Sequence, residues 1–213
     1  MRLLSLFASL LAAILLPGPA ARAGEAANVR SGEPRMSVFE KGVSECELDA
    51  GAFFSFTARS SPNRPAINYE LQTLRLGWML DGVGRSGIWR GNNEFQLGVF
   101  GGPVTQGPGS GLVGGEFIWR YNFAGHGSRL VPFAQIGGGG LYNDIHKTPS
   151  QIEIGMGFEF ILHGGLGAHY MLNDKWAVNV EAEYRHISNA EMSSRNAGLN
   201  SLGGTLGLSY FFQ

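Results

Sequence analysis

Near its C-terminal end the chain carries His186-Ile187-Ser188-Asn189-Ala190, followed by Asn196-Ala197-Gly198-Leu199-Asn200. A histidine and a serine two positions apart form the minimum pair for acyl transfer. The imidazole serves as base and the hydroxyl as nucleophile. On a β-strand, residues two apart share a face and sit roughly 6.6–7 Å apart at Cα, which an imidazole can span. On spacing alone, ordinary rim residues are the better reading, since a lone His-x-Ser is a weak signal. A third member must orient the imidazole. Glu181 and Glu183 have the wrong parity, since they alternate with His186 along the same strand. Asn200, on the next strand, has the right one, and Glu191 is the nearest loop carboxylate. Asn196 and the Gly198 amide are candidate oxyanion donors.

Strands must position these residues. In Trp176–His186, Trp176, Val178, Val180, Ala182 and Tyr184 alternate with Asn179, Glu181, Glu183 and Arg185. In Leu202–Phe212, Leu202, Leu206, Leu208, Tyr210 and Phe212 form the apolar parity, which Asn200 extends. The same period of two recurs upstream. Strands are expected at about Glu47–Ala58, Ile67–Leu80, Asn92–Gly101, Leu112–Phe123, Val131–Tyr142 and Ile152–Leu172. In the second, Ile67, Tyr69 and Leu71 have one parity and Leu74, Leu76, Trp78 and Leu80 the other. A bulge near Thr73 would reconcile them. In the sixth, Ile154, Met156, Phe158, Phe160 and Leu162 are expected to face outward. Arg59–Pro65, Gly101–Gly111 and Asn143–Gln151 read as loops, and Asn173-Asp174-Lys175 as a tight turn.

That makes eight strands, a familiar size for a small all-β, antiparallel transmembrane barrel. The polar parity carries Glu94, Glu116, Arg120, Glu159, Glu181, Glu183 and Arg185, which would pair inside the lumen. A soluble sandwich is the competing architecture. Glycine at 33 of 213 residues and charged residues at only 15% suit either. The start of the chain favours the barrel. Met1-Arg2 is basic, Leu3–Leu16 is apolar, and Ala21-Arg22-Ala23 offers small residues to a signal peptidase. Residues 1–23 are therefore expected to be a signal peptide. Residues 24–46 read as a loose periplasmic segment, and 47–213 as the barrel. Longer loops are then expected outside and tight turns inside. Trp176, Tyr210 and Phe212 would lie in the inner aromatic girdle and Tyr184 in the outer one. The one cysteine, Cys46, excludes an internal disulfide. A net charge of −1 with no basic stripe argues against nucleic acid.

His186-Ile187-Ser188-Asn189-Ala190, with Asn196-Ala197-Gly198-Leu199-Asn200 and a Gly-rich last strand ending in aromatics, resembles the lipid A 3-O-deacylases of bacterial outer membranes. The resemblance implies an eight-stranded barrel and an esterase that removes the 3-linked acyl chain of lipopolysaccharide in the outer leaflet. It implies His186 as base, Ser188 as nucleophile and Asn196 as oxyanion contributor, with no metal or organic cofactor. It also implies a catalytic glutamate twelve residues after the serine, where this chain has Asn200. An asparagine can hold the imidazole N–H but brings no charge. A non-catalytic structural or adhesion barrel is the main alternative reading, and an acyltransferase a third. Pairing of two copies is left open.

Overall fold

The computed structural model describes residues 36–57, 64–125 and 128–213. The expected signal peptide, the first part of the segment after it, and Ala58 with most of the Arg59–Pro65 loop lie outside the described residues. Eight antiparallel strands form a closed barrel. They are β1 (Ser44–Phe56), β2 (Asn68–Met79), β3 (Asn92–Gln106), β4 (Gly111–Asn122), β5 (Leu130–Asn143), β6 (Phe158–Met171), β7 (Trp176–Ser188) and β8 (Leu199–Phe212). β8 closes on β1 from Ser44↔Phe212 to Phe56↔Asn200. Closure leaves no unpaired strand edge, which a lipid environment requires.

Alternation along each strand separates two faces. Leu74, Leu76, Trp78, Leu97, Val99, Phe117, Leu162, Val180, Leu202 and Leu206 are exposed on the outside. Inside lies a layer of ions. Arg75 meets Glu47 at 3.0 Å, Glu181 at 3.2 Å and Glu116 at 3.3 Å. Arg120 meets Glu47 at 2.7 Å, and Arg185 meets Glu183 at 3.0 Å. Buried charges persist only when paired, so these side chains plug the lumen and tie β1, β2, β4 and β7 together.

Apolar residues close the lumen at both ends, and this explains where the sequence pattern misleads. β1 and β2 stay in unbroken register from Ser44↔Trp78 to Phe53↔Tyr69, so no bulge lies near Thr73. Ile67, Tyr69 and Leu71 simply point inward. They join Phe53, Phe100, Leu112, Leu141, Ile161, Ile187 and Leu199 in an apolar layer at the end away from the termini. Residues 152–157 are not strand. Gln151 holds them instead, accepting the Glu153 and Ile154 N–H groups at 2.8 and 2.9 Å and donating to the Ile154 carbonyl at 2.7 Å. This drops Ile154 into the same layer, rather than onto the outer face. β3 runs on through Gln106, past the expected break at Gly101. Gly102 makes that possible, because a Cβ there would sit 2.0 Å from the Glu70 carbonyl oxygen. At the terminal end, Val38 and Phe39 pack with Val43, Met79, Val131 and Phe211. That part of the supposedly loose segment caps the lumen, and β1 begins three residues before Glu47. Loop lengths follow no simple rule. The terminal end holds the 12-residue connection 80–91, and the far end the short connection 107–110.

Two far-end loops are clamped together. The Asp144 carboxylate accepts the Ser110 hydroxyl, the Ser110 N–H at 2.7 Å and the Gly111 N–H at 3.1 Å. These bonds, the Ser110 hydroxyl first, hold the Asp144 carboxyl down at about 2. A depressed carboxylate stabilises the fold above its unfolded value of about 3.9 and loses that effect as pH falls through the folded value. The clamp is therefore expected to hold at pH ~4 and to open only near pH ~2. Asp144→Ala should open it at neutral pH, read as roughly tenfold faster hydrogen exchange at the Ser110 and Gly111 amides.

Candidate active site

The far end of β7 and β8 carries the histidine and serine. His186 pairs with Asn200 across the two strands, and Ser188 pairs with Phe160 of β6. All three side chains belong to the outward parity, while Glu181, Glu183 and Arg185 are buried in the lumen.

His186 Nδ1 lies 2.8 Å from Asn200 Oδ1. The Tyr184 hydroxyl donates to that same oxygen at 2.6 Å. Two donors thus converge on one amide oxygen, which places the imidazole proton on Nδ1. Nε2 is left with its lone pair, the form a general base requires. Tyr184, expected as an outer-girdle aromatic, also joins this hydrogen-bonded group, and a phenol two residues before a histidine on one face is the signal for it in the sequence.

The loop 189–198 holds the rest. Gly198 has φ +76, and a Cβ there would come within 2.8 Å of His186 Cε1, so the glycine is the wall the ring rests against. Its N–H donates to the Glu153 carbonyl at 3.2 Å, so that amide is engaged and not free for an oxyanion. Its carbonyl accepts from Arg64 at 3.1 Å, and Arg64 also reaches the buried Glu153 carboxylate at 3.5 Å. Burial pushes the Glu153 carboxyl up, against the pull of Arg64. Asn189, fully buried, donates to the Arg195 carbonyl at 3.0 Å. The Arg195 guanidinium in turn binds the carbonyls of His146 at 2.8 Å, Thr148 at 3.1 Å and Gln151 at 3.3 Å. The loops 144–157 and 189–198 are thus one braced unit behind His186.

Asn196 Oδ1 accepts the Asn189 backbone N–H at 2.9 Å, next to Ser188 in sequence. Its amide N–H groups remain to serve another acceptor. Glu191 is exposed in a left-handed turn, with Ala190 at φ 50 and Glu191 at φ 66, and it makes no hydrogen bond to His186. Such non-glycine conformations cost of order 1 kcal/mol each and persist where surrounding contacts impose them. Among the described residues no group of histidines, cysteines and carboxylates could hold a metal ion.

The family model for the lipid A 3-O-deacylases (PagL) matches residues 65–209, which run from β2 through most of β8 and include His186, Ser188, Asn196 and Asn200. Among solved structures, Neisserial surface protein A (NspA) superposes with a TM-score of 0.55 at 12% identity, covering 80% of this chain and 99% of that one. At that identity the likeness concerns the fold. The crystal structure of the outer membrane enzyme PagL aligns with a TM-score of 0.48 at 20% identity, covering 75% of this chain and 97% of that one. No curated protein sequence matches the chain. Neither the family match nor the solved structures support pairing of two copies. The chain belongs to the lipid A 3-O-deacylase (PagL) family of the bacterial outer membrane.

Proposed function

We propose that this barrel hydrolyses the 3-linked acyl ester of lipid A in the outer leaflet by a Ser188–His186 mechanism. The observation that carries the reading is the imidazole fixed through Nδ1 by Asn200 at 2.8 Å, on the outward face that also bears Ser188. Ser188 Oγ attacks the ester carbonyl carbon as His186 Nε2 takes its proton. The negative charge that develops on the carbonyl oxygen is met by the Asn196 amide. The carbon–oxygen bond to the sugar breaks, and His186 returns the proton to the departing alkoxide. Water, deprotonated by His186, then releases the fatty acid and restores Ser188. Asn200 holds the imidazole in the tautomer these steps need, and Tyr184 holds Asn200. No metal or organic cofactor enters any step.

The outward position suits a substrate that the bilayer itself presents. A serine esterase aimed into a lumen would have no access to lipid A, because that lumen is packed with ion pairs. A non-catalytic barrel is the reading left if no ester is cleaved. The test is release of 3-hydroxy fatty acid from purified lipopolysaccharide by the refolded protein. Release supports the proposal; intact lipopolysaccharide after prolonged incubation with folded barrel overturns it.

Tyr184 is a positioning residue on this account. Tyr184→Phe should lower kcat by roughly three- to tenfold, about what one hydrogen bond supports, while KM stays near its wild-type value. A change confined to KM would point to a packing role instead.

A further inference from the structure

The connection 80–91 at the terminal end is folded onto the barrel wall. Gly84 and Gly91 pair through two backbone hydrogen bonds of 3.0 Å, which form its neck. Arg90 ties that neck to the Ala124 carbonyl. The Tyr121 hydroxyl donates to the Trp89 carbonyl at 2.6 Å, and the Trp89 and Phe123 ring centroids are 6.3 Å apart. Tyr121 shares the outward parity of Phe117 and Trp119, so the loop rests on the face that lipid wets. Its tip buries nothing, with Ile88 81% exposed and Trp89 58%. A cleft of ≈ 530 Å³ in this loop is lined by Arg85, Ser86 and Trp89. Arg85 sits there in the left-handed region, at φ 62, and such strain clusters where ligands are held. Its guanidinium lies 5.4 Å from the Tyr121 ring centroid, a cation–π contact that fixes it against the wall. The carboxylates beside the loop are turned elsewhere. Asp81 accepts the Asn93 backbone and side-chain N–H groups at 2.6 and 2.7 Å, and Glu40 lies against Gly82. Arg85 is thus left without an acid partner among the described residues, and the Ser86 hydroxyl caps nothing in the turn 87–89.

We propose that this cleft binds the phosphate of an anionic glycerophospholipid in the inner leaflet, through the Arg85 guanidinium and the Ser86 hydroxyl, with Ile88 and Trp89 set among the acyl chains. A guanidinium suits a phosphodiester because its planar fork of N–H groups can pair with two oxygens at once. Tryptophan belongs at the membrane–water interface, its apolar body toward the chains and its N–H toward the headgroups. Charge selects the headgroup. A choline or ethanolamine cation would meet Arg85 with no carboxylate beside it, whereas a headgroup whose only charge is the phosphate meets no repulsion. The leaflet follows from the lipid A reading, since Ser188 at the outer leaflet puts the terminal end at the inner one.

The test is native mass spectrometry of the refolded barrel in a neutral detergent, with equal amounts of phosphatidylglycerol and phosphatidylcholine bearing the same chains. The wild type should retain phosphatidylglycerol over phosphatidylcholine by roughly three- to fivefold, the scale of one exposed ion pair. Arg85→Gln keeps a long polar side chain without the charge and should bring the ratio within about 1.5-fold of unity. Ser86→Ala should lower the ratio by a smaller factor. Lys175→Gln removes an exposed cation of the same end, outside the cleft, and should leave the ratio unchanged. Excess glycerol phosphate should not displace the lipid, because it lacks the chains that Ile88 and Trp89 meet. Displacement would overturn the lipid in favour of a soluble phosphate ester. Equal retention of the two lipids by the wild type, or an unchanged ratio in Arg85→Gln, overturns the site. Detergent gives lipid access to both ends of the barrel and no ester need be cleaved. Failure here therefore leaves the lipid A reading standing, and an inactive Ser188 would leave the lipid ratio as it is.

Discussion

Replacing His186 by alanine is expected to lower lipid A deacylation by about 10³-fold or more, and Ser188→Ala to do the same. The two should not add, because base and nucleophile act as one unit. The geometry sets this expectation. His186 Nδ1 is engaged by Asn200, so Nε2 alone is available to take the serine proton. No other described imidazole can substitute. His163 and His169 are buried in the lumen, and His146 is turned to the Asn143 carbonyl at 2.9 Å. Steady-state release of fatty acid from lipopolysaccharide checks both variants, with barrel formation confirmed by circular dichroism. Retention of most activity in His186→Ala would remove the base from the mechanism.

The second large effect concerns Asn200. Asn200→Asp keeps the side chain's shape, so both Tyr184 and His186 still find their acceptor. What changes is charge. A carboxylate beside the imidazole stabilises the positive charge that forms on it in the transition state. In a buried serine-protease triad, loss of that carboxylate costs about 10⁴ in kcat, in part through the wrong tautomer. Here the tautomer is already held, and the site is half-buried on the outer face, where charges are more screened than in a buried triad. The gain from Asp should therefore be smaller, roughly 10- to 100-fold in kcat. Asn200→Leu removes the acceptor and should cost about 10²-fold or more, because the ring then has no fixed tautomer. An Asp variant no faster than wild type would mean that orientation, and not charge, is what this position supplies.

How far the sequence could be read is clear from individual residues. Val178, Val180 and Tyr184 against Glu181, Glu183 and Arg185 fix the parity of β7, and with it the outward placement of His186 and Ser188. Asn200 follows from the same logic on β8, and register brings it opposite His186. Strand number follows from repetition of that pattern, whereas the choice of a closed barrel over a sandwich rests on the apolar start of the chain and the aromatic last strand. What parity could not supply was the third dimension of the lumen. Tyr69 and Leu71 looked misregistered because a polar interior was assumed along the whole strand, whereas the far end is apolar. Ile154 looked outward because its neighbours alternate, yet the Gln151 side chain replaces strand pairing there. Arg64 and Glu153 brace the site from loops distant in sequence, and Arg195 ties the site's own loop to the carbonyls of His146, Thr148 and Gln151. Only the folded chain brings those together. Gly198 was legible as a special residue but not as the wall behind the imidazole, since its amide is already taken by Glu153.

Ser188 is proposed to cleave an acyl chain from lipid A at the membrane surface. The most direct measurement is the mass spectrum of lipid A from cells expressing wild type beside cells expressing Ser188→Ala at equal barrel levels. Wild type should yield lipid A lighter by one ester-linked chain at the 3-position, and Ser188→Ala should leave lipid A at full acylation. Identical spectra from the two, whether both deacylated or both intact, would contradict it.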